Sequence, residues 1–200
     1  VTNLLSTGSR ESIFRWTVVD GLCSSFAQVR IVNDRVTANG NGFMTCNSTA
    51  TVIGNDPGLQ GATGLWTVDN QTTQTIVQPT SFITNVGGLF PNSMNRFRWT
   101  VSRNTCSASD TINVEYFVPN ANITIPDIPF GCVDTVRLIA DPNLGGGTGV
   151  WAHKFGSLQV TIDNPTSTTT IARNLELGNN VFVWTVTNRG CISTDEVTIN

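Results

Sequence analysis

The chain repeats itself, and the repeat limits what it can fold into. FRWTVVDGLC at 14–23 returns as FRWTVSRNTC at 97–106 and as FVWTVTNRGC at 182–191. Trp16, Trp99 and Trp184 are 83 and 85 residues apart, and Cys23, Cys106 and Cys191 keep the same intervals. Cys46 and Cys132 are 86 apart, Trp66 and Trp151 are 85 apart, and Asp56-Pro57 matches Asp141-Pro142. A fixed period of this size is the mark of a tandem array whose members share one fold. The expected boundaries are 1–34 for the back half of a repeat, 35–117 for a complete repeat and 118–200 for another. The chain reads as a piece of a longer protein.

Within the repeated phrase the apolar residues alternate. Phe97, Trp99 and Val101 share one strand face, and Phe14, Trp16, Val18 and Phe182, Trp184, Val186 do the same. Period-two alternation indicates a half-buried antiparallel strand. A second alternating stretch follows each cysteine, and residues of Asn/Gly type lie between, which predicts a hairpin with the cysteine at or near its bend. Val136, Leu138 and Ala140 align on one face of a further strand, and Trp66 and Trp151 open another. No window carries helical spacing. Six to eight short strands per repeat predict an all-β chain of tandem immunoglobulin-like β-sandwich repeats of about 85 residues. Trp16, Trp66, Trp99, Trp151 and Trp184 are expected in the cores.

A repeat this small has a thin core, where disulfides are commonly added. Cys46 and Cys106 are 60 residues apart, and Cys132 and Cys191 are 59 apart. The expected bridges are therefore Cys46–Cys106 and Cys132–Cys191, one per repeat, each stabilising by roughly 4 kcal/mol on the chain-entropy model. Cys23 is left over, its partner expected outside the fragment. Paired cysteines imply an oxidising compartment. A zinc site is not expected, because no close cysteine pair exists and His153 is the only histidine.

Charge narrows the function further. Charged residues make up 12% of the chain, the net charge is −3 and the pI is about 5. There is no basic footprint for nucleic acid and no polybasic patch for a membrane, and no apolar run has the length of a spanning helix. Catalysis is not expected, since no nucleophile–base pair or carboxylate pair stands out. Asp110 and Asp195 recur after the second cysteine and are expected to cap backbone amides. Asp56 and Asp141 are expected to start turns. GGGTG lacks a following helix and lysine, so it is not a phosphate loop. No Asp-rich calcium loop is present. No cofactor or metal is expected.

The third repeat presents Cys132, Asp141-Pro142, Gly147–Gly149, Trp151, Leu175, Gly178, Asn180, Phe182, Trp184–Val186, Cys191, Ser193, Asp195, Val197 and Ile199. This pattern resembles the tandem repeats of giant cell-surface adhesins of Bacteroidota, the SprB-like gliding-motility adhesins. The middle repeat carries most of it, departing at Ser93 and Asn104, and the first departs more, with Ala27 in place of the aspartate. The resemblance implies a long extracellular filament anchored at the outer membrane through the parent protein, exported by type IX secretion and used for gliding and attachment. Its partners would be neighbouring repeats, surface polysaccharide or substratum, and the gliding and secretion machinery. Asp110-Thr111-Ile112 and Asp134-Thr135-Val136 are similar to the O-glycosylation pattern of that phylum, so Thr111 and Thr135 are candidate glycan sites. The alternative is a glycan-binding β-sandwich module of a secreted protein. Burial of Trp66 and Trp151 discriminates between the two.

Overall fold

A computed structural model describes residues 11–69, 73–127, 134–156 and 158–200. Apart from one short 3-10 turn at Gly58–Gln60, every regular element described is a strand. The first hairpin is β1 (Glu11–Asp20) and β2 (Cys23–Val32). The second repeat holds β3 (Phe43–Thr45), β4 (Ala50–Ile53), β5 (Thr63–Val68), β6 (Thr75–Ile76), β7 (Ile83–Gly87), β8 (Ser93–Arg103) and β9 (Cys106–Tyr116). The third holds β10 (Ile123–Asp127), β11 (Val136–Ala140), β12 (Thr148–Phe155), β13 (Thr161–Ile162), β14 (Thr169–Arg173), β15 (Asn180–Asn188) and β16 (Cys191–Ile199). The chain forms two compact units. One comprises Val1–Gly42, Thr51–Gly87 and Arg96–Asn113, and the other comprises Phe43–Ala50, Gly88–Asn95 and Val114–Asn200.

Each complete repeat builds two sheets. In the second, β3-β9-β8-β5 lie in one and β4-β7-β6 in the other; in the third, β12-β15-β16 face β10-β11-β14-β13. The entry of the second repeat divides between its sheets. Gly40 bridges Gly54 antiparallel, and Phe43–Thr45 then pairs parallel with Val114–Tyr116. The alternation read from the sequence is realised: β8 has a buried face of Asn95, Phe97, Trp99 and Val101, and β15 has Asn180, Phe182, Trp184 and Val186.

The tryptophans recur because they pair. Trp66 stands directly across from Trp99, and Trp151 across from Trp184. Their ring centroids are 4.8 Å and 5.0 Å apart in tilted arrangements, worth about 0.5–1.5 kcal/mol per pair beyond the area they bury. Trp66 gives its indole proton to Ser81 O and Trp151 to Ser167 O. Around the second pair, Val136, Leu138, Ala140, Ala172, Phe182, Val186 and Ile199 complete a continuous core.

Two expectations need correction. Trp16 is not in a core: it is 74% exposed, and Ile13, Val18, Phe26 and Val29 on the same hairpin are also exposed. The fold gives the reason. Trp99 and Trp184 are covered by strands such as β4 and β11, and residues 11–34 supply only the two strands of the hairpin, so the Trp16 face lies open. The second correction concerns the disulfide. Cys46 is bonded to Cys191, and Cys106 is free. The Cys46–Cys106 pair is ruled out by strand geometry. Cys46 follows Thr45, which pairs with Tyr116 at one end of β9, whereas Cys106 begins β9 at the other, roughly 33 Å away at the rise of an extended strand. A bridge requires Cα atoms within about 7 Å; those of Cys46 and Cys191 are 5.3 Å apart. The Cys132–Cys191 pair is excluded in turn because Cys191 is already taken, and Cys132 itself lies outside the described residues.

Candidate functional site: a stapled hairpin turn

The bridge sits where the last hairpin of the third repeat meets the end of the second. The hairpin β15–β16 closes through Arg189 and Gly190, with φ of 51° and 82°. Two successive left-handed residues give the turn whose twist suits a two-residue hairpin. Asn188 fixes the turn from below, its amide donating to Leu144 O and Gly145 O at 3.0 Å each. Arg189 then reaches across to Glu115, with Nη1–Oε1 at 2.5 Å and Nη2–Oε2 at 2.8 Å, and its guanidinium lies 5.0 Å from the Phe117 ring centroid. This two-point fork matches carboxylate geometry, which a lysine could not do. Phe117 N donates to Thr45 O, so the residues flanking both halves of the bridge are fixed by the same contacts.

The preceding hairpin builds the same kind of clasp with other residues. Arg103 aligns with Asn188 and Asn104 with Arg189. Arg103 Nη1 donates to Gln60 O at 3.1 Å, as Asn188 does to Gly145. Its Nη2 donates to Asn33 O and its Nε to Asp34 Oδ1 at 2.9 Å, while Asn104 Nδ2 donates to Asp34 Oδ2 at 2.8 Å. Asn33 and Asp34 follow β2 as Phe117 follows β9. In each case a hairpin turn grips the residues at or just beyond the last strand of the repeat before it.

These contacts set the charge state of the carboxylates. Hydrogen bonds from Asn104 and then Arg103 hold Asp34 below its ordinary 3.8, and the Arg189 hydrogen bond holds Glu115 below 4.5. Asp141 is lowered by the Asn143 backbone amide and by Asn120, and Asp163 by Arg173. A carboxyl whose folded pKa is depressed contributes stability above its unfolded pKa and loses it as pH falls through the folded value. Melting temperature is therefore expected to decline once the pH drops below about 4.5, and Glu115→Gln with Asp34→Asn should shrink that acid-side loss. Melts of both proteins across the acid range check this; parallel curves would contradict it.

The recurring aspartates act as expected. Asp110 Oδ2 accepts from Gly40 N at 2.9 Å, and Asp195 Oδ2 from Ile123 N at 2.8 Å. Each ties the entry strand of its repeat to its last hairpin. Asp195→Ala should destabilise by roughly 1–2 kcal/mol, and Asp195→Asn by less, since a carbonyl acceptor remains; urea denaturation reads both. Asp56 and Asp141 start their turns by accepting from Gly58 N and Asn143 N, each at 2.8 Å.

Trp66 and Trp151 are each 2% exposed, so they offer no stacking platform for a sugar. His153 is half-buried and packs on Phe182 at 5.2 Å. Thr111 lies on β9 and Thr135 just before β11, both half-buried. Among the described residues, no group of three His, Cys, Asp or Glu side chains gathers around a common point, and no helix is long and apolar enough to cross a membrane. Sequence reasoning missed the Arg103 and Arg189 clasps. The signal available was an arginine in two of the three hairpin turns, at positions one residue out of alignment.

No protein-family model matches the chain, and no curated protein matches it. Solved structures do. The N-terminal eight Ig domains of Down Syndrome Cell Adhesion Molecule isoform 1.30.30 are similar over 98% of this chain, at 12% identity and a TM-score of 0.51, and this chain spans 31% of that one. Extracellular domains 3-5 of Drosophila OTK are similar over 93% of this chain and 69% of theirs, at 11% identity and a TM-score of 0.41. The I9-I11 tandem from titin is similar over 93% and 72%, at 8% identity and a TM-score of 0.37. The first of these establishes the fold: all-β, immunoglobulin-like, in tandem.

Proposed function

We propose that the chain is an extracellular structural and adhesive segment of a long cell-surface adhesin, with no catalytic role. The observation that carries this reading is the Cys46–Cys191 bridge, which joins one sequence repeat to the next. A disulfide implies an oxidising compartment. One that crosses a repeat boundary opposes separation of neighbours, which is the work of an array held under tension. The likeness to tandem Ig domains of a cell adhesion molecule agrees with this reading. The finer assignment rests on the sequence pattern of the SprB-like gliding adhesins: type IX export in Bacteroidota, attachment at the outer membrane, and grip on substratum or polysaccharide. Glycans on Thr111 and Thr135 belong to the same reading, and an intact mass equal to the bare sequence would remove them.

Single-molecule pulling from the two termini tests the mechanical claim. The bridge closes a sequence separation of 145 residues, so the oxidised chain should stop short of the reduced chain by roughly 500 Å of extension. Equal extension with and without reductant would refute it. A second reading, sugar binding, has one observation in its favour. Exposed Phe155, Leu158 and Leu177 surround a cleft of about 560 Å³ beside Glu176 and Asn179. Calorimetric titration with bacterial polysaccharides, run on the parent and on Phe155→Ala, separates the two readings.

A further inference from the structure

The bridged junction has a counterpart one repeat earlier. Cys106 begins β9 as Cys191 begins β16. Its turn clasps Asn33 and Asp34 as the later turn clasps Glu115 and Phe117. At the later junction Phe43–Thr45 runs parallel to the last residues of β9 and delivers Cys46 to Cys191. At the earlier one, β2 pairs with β1 alone among the described residues. Beside it lies a cleft of about 640 Å³, lined by residues 32–36 and 105–107, with the free Cys106 in its wall.

We propose that this cleft receives a cysteine-bearing extended segment of a neighbouring repeat, equivalent to Phe43–Cys46, and that the segment's cysteine forms a disulfide with Cys106. The inference rests on the tandem-array reading above. The segment pairs parallel on the open edge of β2 near Val32, as β3 does on β9 near Tyr116. Both thiols lose their protons, and two electrons pass to a thiol oxidoreductase in its disulfide form, which becomes a dithiol. The same translation assigns Cys132 to the delivering class with Cys46, and Cys23 to the receiving class with Cys106 and Cys191. The array then carries one bridge per junction instead of one inside each repeat. Every cysteine of the chain has a role in this scheme, Cys23 included.

The test offers the 200-residue chain a synthetic peptide with the sequence of residues 39–50, NGNGFMTCNSTA, its thiol activated as a 2-pyridyl disulfide. Exchange at a protein thiolate releases pyridine-2-thione, which is followed by absorbance, and mass spectrometry locates the mixed disulfide. Cys106 should react about tenfold or more faster with this peptide than with a scrambled peptide of the same composition. Cys23 is free and exposed on the first hairpin, so it should react equally with both. Equal rates at Cys106, or faster reaction with the scrambled peptide, overturn the proposal. Peptide mapping of the same sample for Cys46–Cys191 reports separately on the array reading, so failure of one is distinguishable from failure of the other.

Discussion

Replacing Gly149 with alanine should lower the melting temperature of its unit by more than about 10 °C. A Cβ at this position would stand 1.9 Å from Cζ2 and 2.3 Å from Cη2 of Trp184. No positive φ is involved, so the effect is one of space and not of backbone strain. The Trp184 ring cannot retreat. It is fully buried and lies against Trp151. Overpacking of a close-packed core costs about 1–3 kcal/mol and more where nothing can move. Gly64 meets Trp99 in the same way, at 2.0 Å and 2.2 Å, so Gly64→Ala should destabilise the other unit comparably. A smaller ring should relieve the clash, so the double variant Gly149→Ala/Trp184→Phe should cost less than the sum of its singles. Thermal melts decide; a Gly149→Ala protein melting with the parent would contradict the packing described.

Cys46→Ser or Cys191→Ser should destabilise the unit that holds the bridge by about 5 kcal/mol under non-reducing conditions, because the closed loop is long. Cys106→Ser should leave the stability of the 200-residue chain nearly unchanged, since that thiol is free. The pairing expected from sequence spacing makes the opposite statement, with Cys106→Ser costing as much as Cys46→Ser. Guanidinium denaturation of the three variants separates the two cases.

The sequence made the strands legible because each buried face alternates with period two and the phrase is written three times. It also made the capping aspartates legible by type: Asp56 and Asp141 cap amides two residues on, whereas the distant partners of Asp110 and Asp195, Gly40 and Ile123, carry no local signal. Asp56, Asp110, Asp141 and Asp195 all accept from backbone amides. The disulfide partner was not legible for a physical reason. In a periodic sequence, a bond within a repeat and a bond to the next repeat have the same spacing signature. Only the direction of β3 along β9, fixed by a three-residue parallel pairing, separates them. Trp16 was misplaced for a related reason: alternation says that a strand has an apolar face, not whether anything covers it. The clasps were hidden because different residues fill them at the two junctions, Arg103 with Asn104 at one and Arg189 at the other.

Covalent linkage in this chain runs from one repeat to the next. Non-reducing proteolysis with mass spectrometry reads that linkage, after free thiols are alkylated in the folded chain. The expected result is one cross-linked peptide pair holding Cys46 and Cys191, with Cys23 and Cys106 recovered alkylated. Recovery of Cys46 linked to Cys106, with Cys132 linked to Cys191, would place each staple inside its own repeat and rule out a linkage between repeats.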